Sequence, residues 1–343
     1  MKLATPRWWY VRTRAPAPVS RMLLRPASML WAAVTARRIA RTTAFDPGVP
    51  VICVGGLTVG GTGKTPVALA LLERLRARGV AAAALSRGYG GRLAGPVQVD
   101  PARHTAADVG DEPLMLAADG PAWVARDRVA GARAAVAAGA SALVLDDGHQ
   151  NPSLSKSLAL VVVDGETRNG EWPFGDGAVF PAGPMREPLA AGLARADAVV
   201  LMLPADLDRP DPDLLALFGG RAVLVARLQP SGPPPQGALL AFAGIAKPWK
   251  FERALRAAGA ELADFAPFAD HIPYTDGTLR ALAVRAEALG ARLLTTEKDW
   301  VRLPPAWRER VAAWPVRAVF EHEAALDALL AGLKSSPSGG SGL

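Results

Sequence analysis

At 343 residues, half of them apolar, the chain is long enough for two cores, and its single cysteine, Cys53, excludes an internal disulfide framework. The net charge of +7 is unevenly spread: residues 1–45 hold nine basic and no acidic groups, the remainder 30 basic and 32 acidic. So balanced a remainder argues against nucleic acid as the partner of the molecule as a whole.

The basic residues of segment 1–45 (Lys2, Arg7, Arg12, Arg14, Arg21, Arg25, Arg37, Arg38, Arg41) alternate with Trp8, Trp9, Tyr10, Met22, Leu23, Leu24, Met29, Leu30, Trp31, Val34 and Ile39. The longest uncharged stretch, Pro26–Ala36, is too short to span a bilayer, and the charges beside it spoil a signal-peptide layout. The pattern suits a helix lying in a membrane interface, where each cation near an anionic leaflet contributes roughly 1 kcal/mol. An arm packed on the domain and a cleaved targeting peptide are the alternatives.

Residues 51–66, VICVGGLTVGGTGKTP, follow. Val51–Val54 reads as a strand buried on both faces, and Pro66 suits the first turn of the helix carried on by Val67, Leu69, Leu71 and Leu72. Between them, Thr58, Val59, Gly60, Gly61, Thr62 and Gly63 form a loop whose backbone N–H groups can close on phosphate oxygens. Lys64 reaches the β/γ-phosphates and Thr65 holds Mg²⁺. The strict motif places Gly where Thr58 stands.

Ala81–Leu85 is the next strand, ending in SRGYGG (residues 86–91), where a ligand contact and a plain turn are equally open. Gly110-Asp111-Glu112-Pro113 precedes the apolar helix 114–118; acids there commonly cap a helix, and a base or metal role stays open. The strand Ala142–Leu145 runs into Asp146 and Asp147, the placement that holds Mg²⁺ across from the loop threonine. Strands at 158–163, 198–203 and 222–226 complete an alternating pattern that implies a mostly parallel sheet with helices on both faces. In the loop PAGPMREP (181–188), Arg186-Glu187 can be a structural ion pair or ligands.

The proline-rich 229–237 reads as a connector. The expected organisation is therefore a basic membrane-associating segment 1–45, a P-loop domain 46–228, a smaller α/β lobe 229–334 and a disordered Ser/Gly tail 335–343. The smaller lobe carries Asp270-His271; a lone loop histidine is usually surface decoration, whereas an Asp–His pair facing a hydroxyl would be a general-base arrangement.

In this order, the basic aromatic N-terminus, LTVGGTGKTP, SRGYGG, GDEP, DDG-x-Q, PAGPMREPL, FAGIAKP, FADH and TTEKD resemble the tetraacyldisaccharide 4′-kinase family, the lipid A kinases of Gram-negative bacteria, over nearly the whole chain. That family also has Thr at the position of Thr58. The resemblance implies ATP and Mg²⁺ as cofactors and transfer of the γ-phosphate to the 4′-hydroxyl of a tetraacylated glucosamine disaccharide 1-phosphate. It further implies a peripheral location at the cytoplasmic face of the inner membrane, against an anionic surface, with no obligate protein partner evident. It makes Asp111 the base assisted by His271, sets Lys64 on the transferring phosphate, and groups Thr65, Asp146, Asp147 and Glu187 around the metal. Tyr89 and Arg128 become substrate and phosphate contacts. Ile272, His149 and Asn151 depart from the usual family residues without removing any of these groups. The rival reading is a membrane-associated P-loop ATPase switch of the positioning type. Those proteins have a signature lysine where this chain has Val59.

Overall fold

The computed structural model describes residues 6–13 and 17–333; Lys2, Arg14 and the tail expected at 335–343 lie outside them. The strands are β1 (Val51–Gly55), β2 (Ala82–Ser86), β3 (Val97–Gln98), β4 (Ala122–Val124), β5 (Ala142–Asp146), β6 (Leu158–Asp164), β7 (Ala198–Met202) and β8 (Ala222–Pro230). Then come β9 (Leu239–Ala243), β10 (Leu262–Pro267), β11 (Arg292–Thr296), β12 (Val311–Trp314) and β13 (Val316–Phe320). Nine form one sheet in the order β13-β8-β7-β6-β1-β5-β2-β4-β3 and four a second, β10-β9-β11-β12. The second sheet is wholly parallel. The first is parallel except at its edges, where β3 and β13 run antiparallel to their neighbours.

β1 lies in the middle of the large sheet, so its side chains must be apolar on both faces. Ile52 and Val54 point into one core with Leu69, Leu72 and Leu75 of helix α2 (Lys64–Ala77), while Val51 and Cys53 point into the opposite core. Burial pushes the Cys53 thiol up to about 11, as suits a packing residue rather than a nucleophile. Helices α3 (Ala106–Val109), α4 (Asp111–Ala118) and α5 (Arg128–Ala137) follow α2; in such sheets a ligand site belongs at the carboxyl ends of the central parallel strands.

The lobe boundary differs from the expected one. Residue 229 falls inside β8, and after the small sheet the chain returns: β13 pairs with β8, and Ala318, Phe320, Leu326 and Leu330 join the core beneath α2. The nearly continuous apolar pattern of 311–320 hides this return, because Pro315 alone separates a strand of one sheet from a strand of the other.

The N-terminal segment divides in two. Residues 7–10 form a short 3-10 turn with Trp9 buried, so this part is packed on the body. Helix α1 (Pro18–Arg41, containing Pro26) turns Arg21, Ser28 and Thr35, spaced by sevens, towards the body. Val19, Met22, Leu23, Met29, Leu30, Trp31 and Val34 are exposed, as are Arg25, Arg37, Arg38 and Arg41. A helix that hides its hydroxyls and shows its leucines is inverted relative to an ordinary surface helix. Among the described residues no helix is long and apolar enough to cross a membrane.

Candidate active site

The loop between β1 and α2 is braced from outside. Val59 donates its N–H to the Pro184 carbonyl (2.9 Å), Thr58 bridges Met185, and the Tyr10 hydroxyl donates to the Val59 carbonyl (2.7 Å). Val59 was expected among the phosphate-binding groups; its backbone is spent on protein partners instead, so it supports the cradle from behind. Gly60 and Gly63 take positive φ (101° and 91°), conformations that cost glycine nothing, and Gly63 leads directly into α2. The Thr62 hydroxyl is buried without a partner at the same turn.

Lys64 and Thr65 open α2 and face the end of β5. The Thr65 hydroxyl donates to Asp146 Oδ2 (3.1 Å) and the Lys64 ammonium lies 3.9 Å from Asp147 Oδ1. Asp146 is 1% exposed, and its Oδ1 has no partner. Burial, then the neighbouring charges of Glu112 and Asp147, push its carboxyl up to about 7. A buried acid with one oxygen unsatisfied beside a threonine hydroxyl is a donor set that a hard divalent cation fits. Among the described residues no group of three or more His, Cys, Asp or Glu side chains gathers around one point. A cation here would therefore keep part of its shell for phosphate oxygens and water, as Mg²⁺ does.

The other two acids assigned to the metal have cationic partners. Asp147, at φ 57°, accepts a bidentate pair from Arg186 (2.6 and 2.9 Å). Burial acts to raise Asp147, but Lys64 and Arg186 outweigh it and hold the carboxyl well below the usual range. Both Glu187 oxygens accept from Arg195 (2.7 and 2.6 Å) and one also from Gln150 (3.0 Å), so its charge is already compensated. Arg186 and Glu187 are thus not partners of each other. Arg128 sits buried at the start of α5, donating to the Ala125 carbonyl, with Nε unpartnered. Burial pushes its guanidinium down to about 10 against the pull of Asp146.

The two lobes meet at Asp111, the first residue of α4. His271 Nδ1 lies 2.9 Å from Asp111 Oδ2. Lys298 Nζ lies 3.3 Å from both His271 Nε2 and Glu112 Oε1, and Arg302 Nε lies 3.7 Å from Asp111 Oδ2. Burial works to raise Asp111, yet His271, Lys298 and Arg302 together hold it well below the usual carboxylate range. His271 adopts φ 56°, and its ring meets the exposed Tyr89 edge-on at 5.7 Å, so Tyr89 joins the pair. Lys298 and Arg302 had no role in the sequence reading, and Glu112 had only the open cap, base or metal role of the GDEP acids. Lys298 lies in TTEKD, one of the motifs that carry the family resemblance, two residues past the end of β11.

The glycine loop with Lys64, Thr65 and Asp146 lies near the acid–imidazole pair that the two lobes form, with Glu112 felt by both Asp146 and Lys298. Such a site defines a class: a P-loop phosphotransferase, or kinase. The comparisons narrow it. A family model described as tetraacyldisaccharide-1-P 4′-kinase matches residues 20–334. The tetraacyldisaccharide 4′-kinases of Caulobacter vibrioides (strain NA1000 / CB15N) and Phenylobacterium zucineum (strain HLK1) are each 68% identical over 333 residues. Those alignments cover 97% of this chain and 99% and 100% of the relatives. A crystal structure of LpxK from Aquifex aeolicus in complex with ATP superposes with a TM-score of 0.73 at 26% identity, covering 92% of this chain and 99% of that one. The chain belongs to the tetraacyldisaccharide 4′-kinase family.

Proposed function

We propose that this protein transfers the γ-phosphoryl group of ATP to the 4′-hydroxyl of a tetraacyldisaccharide 1-phosphate, forming the bisphosphorylated lipid A precursor. The observation carrying this reading is the junction of Asp111 and His271, from different lobes, beside a braced phosphate loop. The acceptor oxygen forms the new bond to phosphorus as the bond to the ADP oxygen breaks, and the hydroxyl proton passes to the Asp111 carboxylate. His271, whose Nδ1 lies 2.9 Å from Asp111 Oδ2, is placed to orient that carboxylate, and Lys298 lies 3.3 Å from the other ring nitrogen. The neighbouring cations keep this carboxylate ionised, so it can take the proton late, in a loose transition state. Lys64 and the loop amides bear the charge of the transferring group.

Mg²⁺, when bound, neutralises charge on the β- and γ-phosphate oxygens, and Asp146 with Thr65 would hold it. Asp147 with Arg186, and Glu187 with Arg195, frame that position. The exposed leucines and arginines of α1 fit the interface of an anionic membrane on the cytoplasmic side, where the lipid acceptor is presented. Residues 46–230 with 316–333 then act as the nucleotide domain and 239–314 as the lobe that completes the acceptor site.

The test is phosphoryl transfer from Mg-ATP to a tetraacyldisaccharide 1-phosphate in detergent micelles; intact ATP binding without transfer overturns the reading. Asp111→Asn should lower kcat by about 10²–10⁴-fold and leave the dissociation constant of ATP unchanged. An active Asp111→Asn enzyme would remove Asp111 from the role of base.

A further inference from the structure

Residues 6–13 lie outside the stretch matched by the family model, and they are stitched to the molecule by specific contacts rather than lying loose beside it. Val11 bridges Glu171 antiparallel, and the Trp172 N–H donates to the Tyr10 carbonyl (2.7 Å). Trp9 is buried edge-on against Phe180, and the Arg12 guanidinium stacks 4.3 Å over the Trp172 ring. This framework presents one side chain, Tyr10, to the phosphate loop. Its hydroxyl donates to the Val59 carbonyl, and the Lys247 ammonium, held by Asp164 and Glu171, lies 5.3 Å over its ring.

We propose that Tyr10 is a positioning residue for ATP binding. It holds the 59–60 peptide so that the Gly60 N–H faces away from the tyrosine, on the phosphate side of the loop. The peptide between Val59 and Gly60 is planar and trans, so its C=O and N–H point in opposite directions. A hydroxyl that fixes the carbonyl from outside fixes the amide on the inside. Without that anchor, this peptide can rotate in a glycine-rich turn whose residues tolerate either sign of φ, and an amide needed for the phosphate is lost from the cradle for part of the time. Gly60 serves the same contact, since a Cβ there would stand 2.9 Å from the Tyr10 hydroxyl.

The inference rests on the phosphate-loop reading, and the experiment separates the two. Tyr10→Phe removes only the hydroxyl and keeps the ring in place. A single net hydrogen bond corresponds to about a fivefold change in an equilibrium constant, so the dissociation constant and the KM for Mg-ATP should each rise about fivefold. With ATP saturating, kcat should stay within about twofold, the acceptor KM should not move, and the melting temperature should fall by no more than about 2 °C. Lys64→Ala is the control for the loop itself. Unchanged ATP affinity in Tyr10→Phe, with affinity lost in Lys64→Ala, overturns the proposal. Unchanged affinity in both removes the phosphate-loop reading and Tyr10's role together. A fall in melting temperature and kcat at constant ATP KM would make Tyr10 a packing residue and also overturn it.

Discussion

Asp146 illustrates how one residue ties folding to cofactor binding. Its carboxyl, pushed up to about 7 by burial and nearby acids, keeps a proton that an unfolded aspartic acid releases near 3.8. Between about pH 4 and 7 the folded chain thus binds more protons than the unfolded one, and stability falls as pH rises through that window. Asp146→Asn should therefore stabilise nucleotide-free protein at pH 8, by about 4 kcal/mol at most at about 1.4 kcal/mol per pKa unit. The gain should shrink as pH falls towards 4. Thermal melts across pH would measure it, and a destabilised variant at pH 8 would contradict it. The same substitution should abolish stabilisation by Mg-ATP, because the cation requires the ionised form. Lys64, Thr65 and Asp146 were legible in the sequence because each sits at a fixed offset from a strand or a glycine turn. Arg186, Lys298 and Arg302 were not, because their roles depend on which distant acid the fold places opposite them. The adjacent Arg186 and Glu187 separate, one to Asp147 and the other to Arg195.

At the scale of elements, α1 combines two tasks on opposite sides. Ser28 donates to the Val179 carbonyl (2.7 Å), and the Trp31 indole donates to the carbonyl of Arg186, whose guanidinium grips Asp147. The outward side is left apolar and basic, with Leu23 70% and Leu30 67% exposed. Composition showed a basic, aromatic and apolar segment, but not that the 3-10 turn before α1 would fold back onto the body. The alternation of charges with tryptophans looks alike in both halves. Replacing Leu23 and Leu30 together by Glu should weaken binding to anionic vesicles at least about tenfold, since two buried leucines are each worth about 1.5–3 kcal/mol. The melting temperature should hold, because neither side chain packs inside the protein. Unchanged vesicle sedimentation would overturn membrane docking through α1.

For the whole molecule, the question is what fixes one lobe against the other so that His271 meets Asp111. A second set of cross-lobe contacts lies at Asp164, the last residue of β6. Burial acts to raise this carboxyl, but Lys250 and Lys247 from the second lobe outweigh it and hold it below the usual range. Both lysines donate to Asp164, at 2.7–2.9 Å, and Lys247 also reaches Glu171 at 2.8 Å. Beside Lys247, Ala246 rests against the tip of the phosphate loop, where a Cβ on Gly61 would come within 3.3 Å of it. The lobes are thus joined beside the loop as well as at the acid–imidazole pair. Either lysine alone can still neutralise Asp164, so each single alanine substitution should cost only about 1 kcal/mol. The double substitution leaves the acid buried without a cation, a situation worth about 3–5 kcal/mol of destabilisation. Chemical unfolding of the two singles and the double should therefore show strong non-additivity. A double variant no worse than the sum of its singles would mean that water satisfies Asp164 and that the latch is not shared. In variants that remain folded, kcat should fall with the double substitution while binding to anionic vesicles persists, because α1 is anchored through Ser28 and Trp31 and not through this contact.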